Sequence, residues 1–383
     1  MIEDEDYNHA HTHNADLHTR SDPYTDTHHT CEPPPQIIPP LSEEAIIEIV
    51  KKGQLNTISL RLPCVCNFRC SHCYNAEQFK KVVHDKNAVT YKEVAHVLDQ
   101  AFDLGARYVW IVGEGEPFFY KSQTKTFLSL LDHMNQGGAR PLIFTNCTLI
   151  TKDLARALSK KDVFIIGKMN SLNPRVQNEM CGTKFAYSKL KQGIENLIEA
   201  GFTDDPTRLS METIISKRNY TEIPVLWRLF RSKNIIPFVE KCTPPAEKGA
   251  FRTFLKDTYV EPQKMRTLFD TLLTIDQTVY GYTWDPVKTY PIAALGCTAV
   301  RTSCGITPTG DVQLCAYTKG ILGNVKETPL REILLSEEVI HIKTAVYCPD
   351  GSLHYGCRSL TVNVTGDRFA VDPFWREFEG ECL

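Results

Sequence analysis

The chain has 383 residues, 42% of them apolar and 23% charged, which is enough for one large α/β domain and a smaller second unit. Its 43 Lys and Arg residues against 46 Asp and Glu residues give a formal charge of -3, so no basic excess favours nucleic acid or anionic lipid as a partner. Because we find neither a membrane-spanning apolar run nor a signal peptide, we expect a cytoplasmic protein whose 14 cysteines serve metal ligation rather than disulfides.

The predicted elements begin after a polar tail. Residues 1–41 are rich in histidine and proline and cannot bury a core, so we expect them to be disordered. After a first helix from Ser42, β-rich runs begin at residues 57, 107, 141, 163, 208 and 235, with helix-periodic segments between them. This alternation predicts an α/β fold, a partial (β/α)6 TIM-like barrel over residues 42–285, with chemistry at the C-terminal strand ends. Residues 286–383 instead predict a small C-terminal Cys-rich module.

A cysteine cluster follows the first strand directly. In PCVCNFRCSHCYN, Cys66, Cys70 and Cys73 have the spacing C-x3-C-x2-C, and Tyr74 comes next. Three closely spaced thiolates are typical ligands of a four-iron cluster, and they leave one iron open to another ligand. Cys64 supplies a fourth thiol nearby, so a four-cysteine zinc site is the alternative.

This spacing after a first barrel strand resembles the signature of the radical S-adenosylmethionine (SAM) superfamily. The segment GEGEP after the second strand is similar to the family's GGEP segment, which meets the amino group of SAM. Its glycines allow a close backbone approach, and Glu114 and Glu116 are acceptors for an ammonium group. TNCTL after the third strand stands where the family has a TNG turn, with Cys147 in place of glycine.

The resemblance implies a [4Fe-4S] cluster on the three cysteines and a SAM cofactor beside it. The implied cofactor-binding residues lie at the strand ends and are Tyr74, Gly113, Glu114, Gly115, Glu116, Pro117, Asn146, Asn170, Ser171 and Glu212. Glu212 faces inward on the fifth strand, where it meets the cofactor ribose or pairs with a barrel lysine.

Three further residues at the barrel mouth are candidates for catalysis. Lys168 ends the fourth strand and Glu240 the sixth, and either is a candidate base, although a surface lysine is the alternative for Lys168. Cys242 is a candidate thiol donor of a hydrogen atom, and its alternative role is that of a small buried apolar residue.

The C-terminal cysteines form a second pattern. GCTAVRTSCGITPTGDVQLC and the downstream GCRSLTVNVTGDRFAVDP resemble the SPASM and twitch modules that carry auxiliary clusters in this superfamily. A hairpin turn at Thr309–Asp311 would place Cys304 and Cys315 side by side. We therefore expect one auxiliary [4Fe-4S] cluster, with Cys348 as a spare cysteine and structural zinc as the alternative metal. Its expected ligands are Cys297, Cys304, Cys315 and Cys357.

The resemblance implies reductive cleavage of SAM, with an electron donor such as flavodoxin or ferredoxin, and abstraction of hydrogen from a substrate C–H bond. A fully ligated auxiliary cluster favours oxidation of the substrate, and a thiol donor would instead give epimerisation. For the substrate we expect a polar, carbohydrate-like small molecule (a sugar, aminocyclitol or nucleoside) in antibiotic biosynthesis. A ribosomally made peptide is the alternative, and a non-catalytic iron-sulfur or zinc protein is a third hypothesis.

Overall fold

The computed structural model of the chain describes residues 32–62, 65–73, 87–119, 121–242, 256, 258–285, 299–315, 320–344, 361, 365–367 and 370. The predictions for Tyr74, Cys297 and Cys357 lie outside these residues. Among the described helices, none is long and apolar enough to cross a membrane.

Nine strands are described: β1 (Thr57–Leu62), β2 (Tyr108–Gly113), β3 (Arg140–Thr145), β4 (Phe164–Lys168), β5 (Leu209–Ile215), β6 (Ile236–Lys241), β7 (Ser303–Ile306), β8 (Asp311–Gln313) and β9 (Gly323–Asn324). The described helices are α1 (Glu43–Lys51), α2 (Tyr91–Asp103), α3 (Lys121–Gln136), α4 (Lys152–Ser159), α5 (Pro174–Cys181), α6 (Ala186–Glu199), α7 (Ile223–Ser232), α8 (Pro262–Ile275), α9 (Ala299–Thr302), α10 (Leu330–Leu334) and α11 (Glu337–Thr344). A π-helical turn, Asp276–Tyr280, continues α8.

All nine strands belong to one sheet, in the order β6-β5-β4-β3-β2-β1-β7-β8-β9. The strand pairs from β1 to β6 are all parallel and follow chain order. At least one helix lies between each pair of consecutive strands along the chain. This is the sheet of a partial (β/α)6 barrel, and it confirms the predicted fold class. All six C-terminal strand ends therefore meet at one rim, where the predicted site residues lie.

The strands alternate between two apolar layers. Ile165 and Met211 belong to the core between the sheet and its helices, whereas Phe164 and Ile166 belong to a second cluster on the concave face of the sheet. Because successive side chains of a strand point to opposite faces, the concave face also receives Lys168, two residues beyond Ile166. Each fully buried apolar side chain contributes about 1.5–3 kcal/mol through the hydrophobic effect.

Residues ahead of the first helix lie on the barrel. Ile37 and Ile38 pack against the apolar cluster of the concave face. Upstream of them, the amide of Glu32 donates to the carbonyl of Gly281 at 3.0 Å. Residues 32–41 therefore contribute contacts to the barrel, since their two isoleucines are partly buried on it.

The C-terminal module continues the barrel sheet. β7 pairs in parallel with β1, with Ile58 opposite Cys304, and β8 and β9 follow as antiparallel strands. The predicted hairpin is present, and its turn has Gly310 at a φ of 93°, in the left-handed region that glycine adopts readily. A continuous sheet therefore links the two cysteine-bearing parts of the chain.

Candidate active site and cluster centre

The cysteine loop after β1 is fastened to the end of α5. The Arg69 amide donates to the carbonyl of Cys181 at 3.0 Å, and the Ser71 amide donates to that of Met180 at 3.1 Å. Cys66 and Cys70 also pack against a small buried cluster that contains Cys181. These contacts fix the loop at the barrel rim, since they come from a helix that follows β4.

The three thiols fit an iron-sulfur cluster better than a single metal ion. Burial is the main cause that raises the pKa of Cys66 to about 12, and Cys70 and Cys73 raise it further. Thiolates at this position therefore need a strong cationic partner, which cluster iron supplies. Within the described part of the chain, no three His, Cys, Asp or Glu side chains are placed to share one metal ion. In a four-iron cluster each of the three thiolates binds a different iron atom, so the three sulfur atoms need not converge on one point.

The cofactor turn, residues Gly113–Pro117, lies against the cysteine loop. The amide of Glu116 donates to the carbonyl of Val65 at 2.9 Å. A Cβ on Gly113 would come within 2.7 Å of the Gly115 carbonyl oxygen, so the turn requires glycine there. The segment that resembles the SAM-binding turn is thus joined directly to the segment that carries the thiols.

The Glu116 carboxylate is buried and held by three donors. It accepts from the Thr145 hydroxyl and the Asn146 amide, each at 2.7 Å, and from the Phe118 amide at 3.3 Å. Burial outweighs these bonds and raises the pKa of Glu116 to about 7. The carboxylate therefore links the end of β2 to the end of β3 and retains acceptor capacity for a cation.

The turn after β3 explains why Cys147 stands where a glycine is expected. Cys147 has a φ of 59°, the left-handed conformation that glycine adopts most readily. Its neighbour Asn146 donates to Asn67 at 2.8 Å and approaches the sulfur of Cys66 at 3.9 Å. The turn thus keeps the shape of a TNG turn, and Asn146 lies beside the cluster ligands.

A buried charged pair next to the cofactor turn was missed by the sequence analysis. Arg61 on β1 places Nη1 3.3 Å from Oε1 of Glu114, and its Nη2 donates to Oε1 of Gln313 on β8. Burial raises the pKa of Glu114, and Arg61 opposes that rise. Glu114 therefore faces a protein cation. The available signal was the single charge within the apolar strand TISLRL.

A second charged group occupies the mouth of the barrel. Lys168 at the end of β4 lies opposite Glu212 on β5, and its Nζ is 2.5 Å from Oε2 of Glu212. The Glu240 carboxyl on β6 hydrogen-bonds Glu212. Burial alone would raise the pKa of Glu212, but Lys168 and then Glu240 lower it. Burial would likewise lower the pKa of Lys168, and the two glutamates raise it instead.

Glu212 thus pairs with a barrel lysine, as one of the two expectations for it required. Lys168 keeps 40% of its side chain exposed, whereas Glu212 is 1% exposed. The mouth therefore holds a partly exposed lysine beside two buried carboxyls.

Asn170 and Ser171 are buried just beyond β4. The Asn170 side chain accepts from the amide of Ile214 at 2.9 Å, and the Ser171 hydroxyl donates to Glu222 at 2.6 Å. Both polar groups therefore have protein partners that brace the rim between β4, β5 and the start of α7.

Cys242 directly follows β6 and is 6% exposed. It packs with Ile214 and Tyr259, and burial raises the pKa of its thiol to about 12. In this environment Cys242 is a neutral thiol among apolar side chains. It stands two residues after Glu240, just past the end of β6.

The register of the β7–β8 hairpin does not place Cys315 directly opposite Cys304. The β7–β8 pairs are Gly305 with Gln313 and Ile306 with Val312, so continuing the register puts Leu314, not Cys315, opposite Cys304. Cys304 is fully buried in the apolar core. Burial raises the pKa of Cys304 most, and the charge of Lys343 opposes the rise. Alternate residues of a hairpin face opposite sides, which separates the two thiols.

The chain matches two family models. The Radical SAM superfamily model matches residues 60–226, and the SPASM iron-sulfur cluster-binding domain model matches residues 297–367. The first match contains the cysteine loop, the cofactor turn and Lys168. The second contains the β7–β8 hairpin and the C-terminal cysteines other than Cys382.

Relatives and solved structures agree with this assignment. An AdoMet-dependent heme synthase of Methanosarcina barkeri is 23% identical over 345 residues, which are 83% of this chain and 95% of the relative. A GTP 3',8-cyclase of Alkaliphilus oremlandii is 25% identical over 58% of this chain and 66% of its own. The structure of Streptococcus suis SuiB bound to S-adenosylmethionine has a TM-score of 0.65 at 17% identity, with 86% of this chain and 80% of that chain covered.

The structure of anSMEcpe with bound AdoMet and Cp18Cys peptide has a TM-score of 0.61 at 14% identity, over 84% of this chain and 95% of that chain. The fold, the family matches and the three-thiol loop on its barrel rim lead to one conclusion. The chain contains a radical SAM domain over residues 60–226 and a SPASM iron-sulfur domain over residues 297–367, and these domains imply SAM, a [4Fe-4S] cluster and auxiliary iron-sulfur clusters as cofactors.

Proposed function

We propose that this radical SAM enzyme oxidises a side chain of a ribosomally made peptide at the barrel mouth. The observation that carries the proposal is the placement of a partly exposed lysine, Lys168, next to the buried carboxyls of Glu212 and Glu240, on the rim that also holds the three thiols. This arrangement suits a reaction in which a bound substrate loses both hydrogen and a proton.

Cys66, Cys70 and Cys73 would hold the first cluster, and the cofactor turn would hold the methionine end of SAM. When bound, these groups supply a carbon-centred radical that removes a hydrogen atom, and the auxiliary cluster supplies an acceptor for one electron. The protein's part is to bind, to orient and to exclude water. Glu116 is the acceptor for the ammonium group of SAM, because its carboxylate is already positioned by Thr145 and Asn146.

Oxidation also requires that a proton leave the substrate. Lys168 is held in its charged form by Glu212 and Glu240, so it acts as a cation that binds a substrate carbonyl or carboxylate. Glu212 is ionised beside Lys168 and lies next to Glu240, so carboxyl groups are present at the mouth to accept a substrate proton. We assign the base to this pair, with a substrate C–H bond close to Lys168. Cys242 remains the candidate thiol donor if the product is an epimer.

A peptide substrate has more support than the carbohydrate-like molecule that the sequence analysis favours. Two solved structures with this fold have a peptide bound, SuiB with precursor peptide SuiA and anSMEcpe with Cp18Cys peptide. The heme synthase relative covers 83% of this chain, which makes a porphyrin-type substrate the second candidate. The cyclase relative keeps a nucleotide as the third.

The test is anaerobic reconstitution with iron and sulfide, followed by dithionite and SAM. We expect formation of 5'-deoxyadenosine, measured by liquid chromatography and mass spectrometry, and its loss in C70S. Flavodoxin or ferredoxin should replace dithionite as the electron donor. Candidate precursor peptides, coproporphyrin and a panel of sugars and nucleosides are then compared, each with deuterium at C–H positions. Deuterium in 5'-deoxyadenosine from a sugar and from no peptide would overturn the choice of substrate.

Lys168→Met tests the role of the mouth, with Lys152→Met as its matched control. Lys152 pairs with Glu199 on the surface, where an ion pair contributes about 0–1 kcal/mol. We expect K168M to cleave SAM without forming product and K152M to behave as the wild type. Equal product from K168M and the wild type would remove Lys168 from the mechanism.

A further inference from the structure

Arg61 is a buried cation with partners in both cluster-bearing parts of the protein. It lies on β1 with 7% exposure, and its neighbours Leu60 and Leu62 belong to the helix-side core. A guanidinium group stays charged, so its burial is tolerated only when nearby acceptors compensate for the lost water. Arg61 has two such acceptors, Glu114 and Gln313.

The first acceptor belongs to the cofactor turn. Glu114 is the residue after β2 and stands two residues before Glu116. It is 1% exposed, and among the described residues neither of its carboxylate oxygens has a hydrogen-bond donor; the Arg61 guanidinium at 3.3 Å is a cation that compensates its charge. The position of the cofactor turn and that of Arg61 are thus tied by charge.

The second acceptor belongs to the auxiliary hairpin. Gln313 ends β8 and stands two residues before Cys315, and it accepts from Nη2 of Arg61. β8 does not pair with β1, because β7 lies between them. With about 4.8 Å between neighbouring strands, Arg61 reaches about 10 Å across β7 to make this bond. The side chain therefore adds a link that the backbone ladder of the sheet does not provide.

We propose that Arg61 is a positioning residue that holds the SPASM hairpin, and with it Cys315, in a fixed place relative to the SAM-binding turn. The inference rests on the proposed function, since it takes Cys315 as an auxiliary ligand. Glu114, Arg61 and Gln313 form a continuous bridge of side-chain contacts from the cofactor turn to the auxiliary hairpin. Loss of this bridge would leave the position of Cys315 relative to the cofactor turn less constrained.

The test compares Arg61→Met, which keeps length and loses charge, with Gln313→Leu, which removes only the acceptor. Both are reconstituted and examined by electron paramagnetic resonance with and without SAM. We expect both variants to broaden or lose the auxiliary signal, and Q313L, which leaves the Arg61–Glu114 pair in place, to keep the signal of the first cluster and its response to SAM. The double variant should be no worse than R61M, because the two residues act through one bond. Arg61→Lys should restore part of the auxiliary signal, since lysine keeps the positive charge but lacks the two parallel N–H donors of the guanidinium group.

Arg231→Met is the matched control, because Arg231 also forms a buried ion pair, with Asp276 at 2.7 Å. If R231M lost the auxiliary signal selectively, R61M would be acting through general instability and the inference would fail. It would also fail if R61M and Q313L had wild-type auxiliary spectra. A wild-type protein without auxiliary iron would instead refute the proposed function, so the two failures are distinguishable.

Discussion

Glu116 should make the stability of the metal-free protein depend on pH in a direction opposite to that of most carboxylates. Burial raises the pKa of Glu116 from 4.5 to about 7 in the folded protein. Between these values the folded state holds a proton that the unfolded chain has released, so the free energy of unfolding falls as pH rises through this range. The contribution is complete below about pH 4.5 and lost above about pH 7.

The size of the effect follows from the shift. At about 1.4 kcal/mol for each pH unit, the change from 4.5 to about 7 corresponds to about 3 kcal/mol. Glu116→Gln is the reference, because glutamine has a similar shape and does not titrate. Urea unfolding of both proteins between about pH 5 and pH 8 should show the wild type losing about 3 kcal/mol relative to E116Q. Parallel pH profiles for the two proteins would refute the reasoning, since every other titrating group is common to both.

Three further outcomes follow from other contacts. Gly193→Ala should lower the free energy of unfolding despite a gain of about 1 kcal/mol in helix propensity, because the new Cβ would lie 1.8 Å from the Cys147 carbonyl oxygen; urea unfolding checks this, and an unchanged midpoint would contradict it. Asp276→Asn should cost about 3–5 kcal/mol by the same assay, since it leaves the buried Arg231 guanidinium without its carboxylate, and a cost under about 1 kcal/mol would contradict it. Cys304→Ala should retain the full iron content of the reconstituted protein, and loss of auxiliary iron would reinstate Cys304 as a ligand.

The parts of the fold that the sequence predicts well are those encoded by neighbouring residues. The strand TISLRL and the thiol loop after it are contiguous, and their bounds and order follow from local periodicity and spacing. The turn at Cys147 could also be read locally, because one left-handed position is all that it requires. These features need no information about distant contacts.

The parts that the sequence does not predict depend on long-range register and on electrostatics. Arg61 and Gln313 are 252 residues apart, and only the parallel pairing of β7 on β1 brings them together. The placement of Cys315 relative to Cys304 depends on the exact register of the hairpin. A shift of one residue in that register would move a side chain to the other face of the sheet. Composition assigns residues 32–41 to a polar tail, whereas the packing of Ile37 and Ile38 against the barrel is a tertiary contact.

Three carboxylates that look equivalent in the sequence differ in the cation each one faces. Glu212 is paired with Lys168, and Glu114 with Arg61, so an additional ammonium group near either would compete with a protein cation. Glu116 is held by three neutral donors instead, and burial raises its pKa to about 7 despite them, whereas Glu114 has the Arg61 guanidinium at 3.3 Å. An incoming ammonium group gains most where the negative charge is least compensated. The motif therefore divides its two glutamates, with Glu116 suited to SAM and Glu114 to holding Arg61.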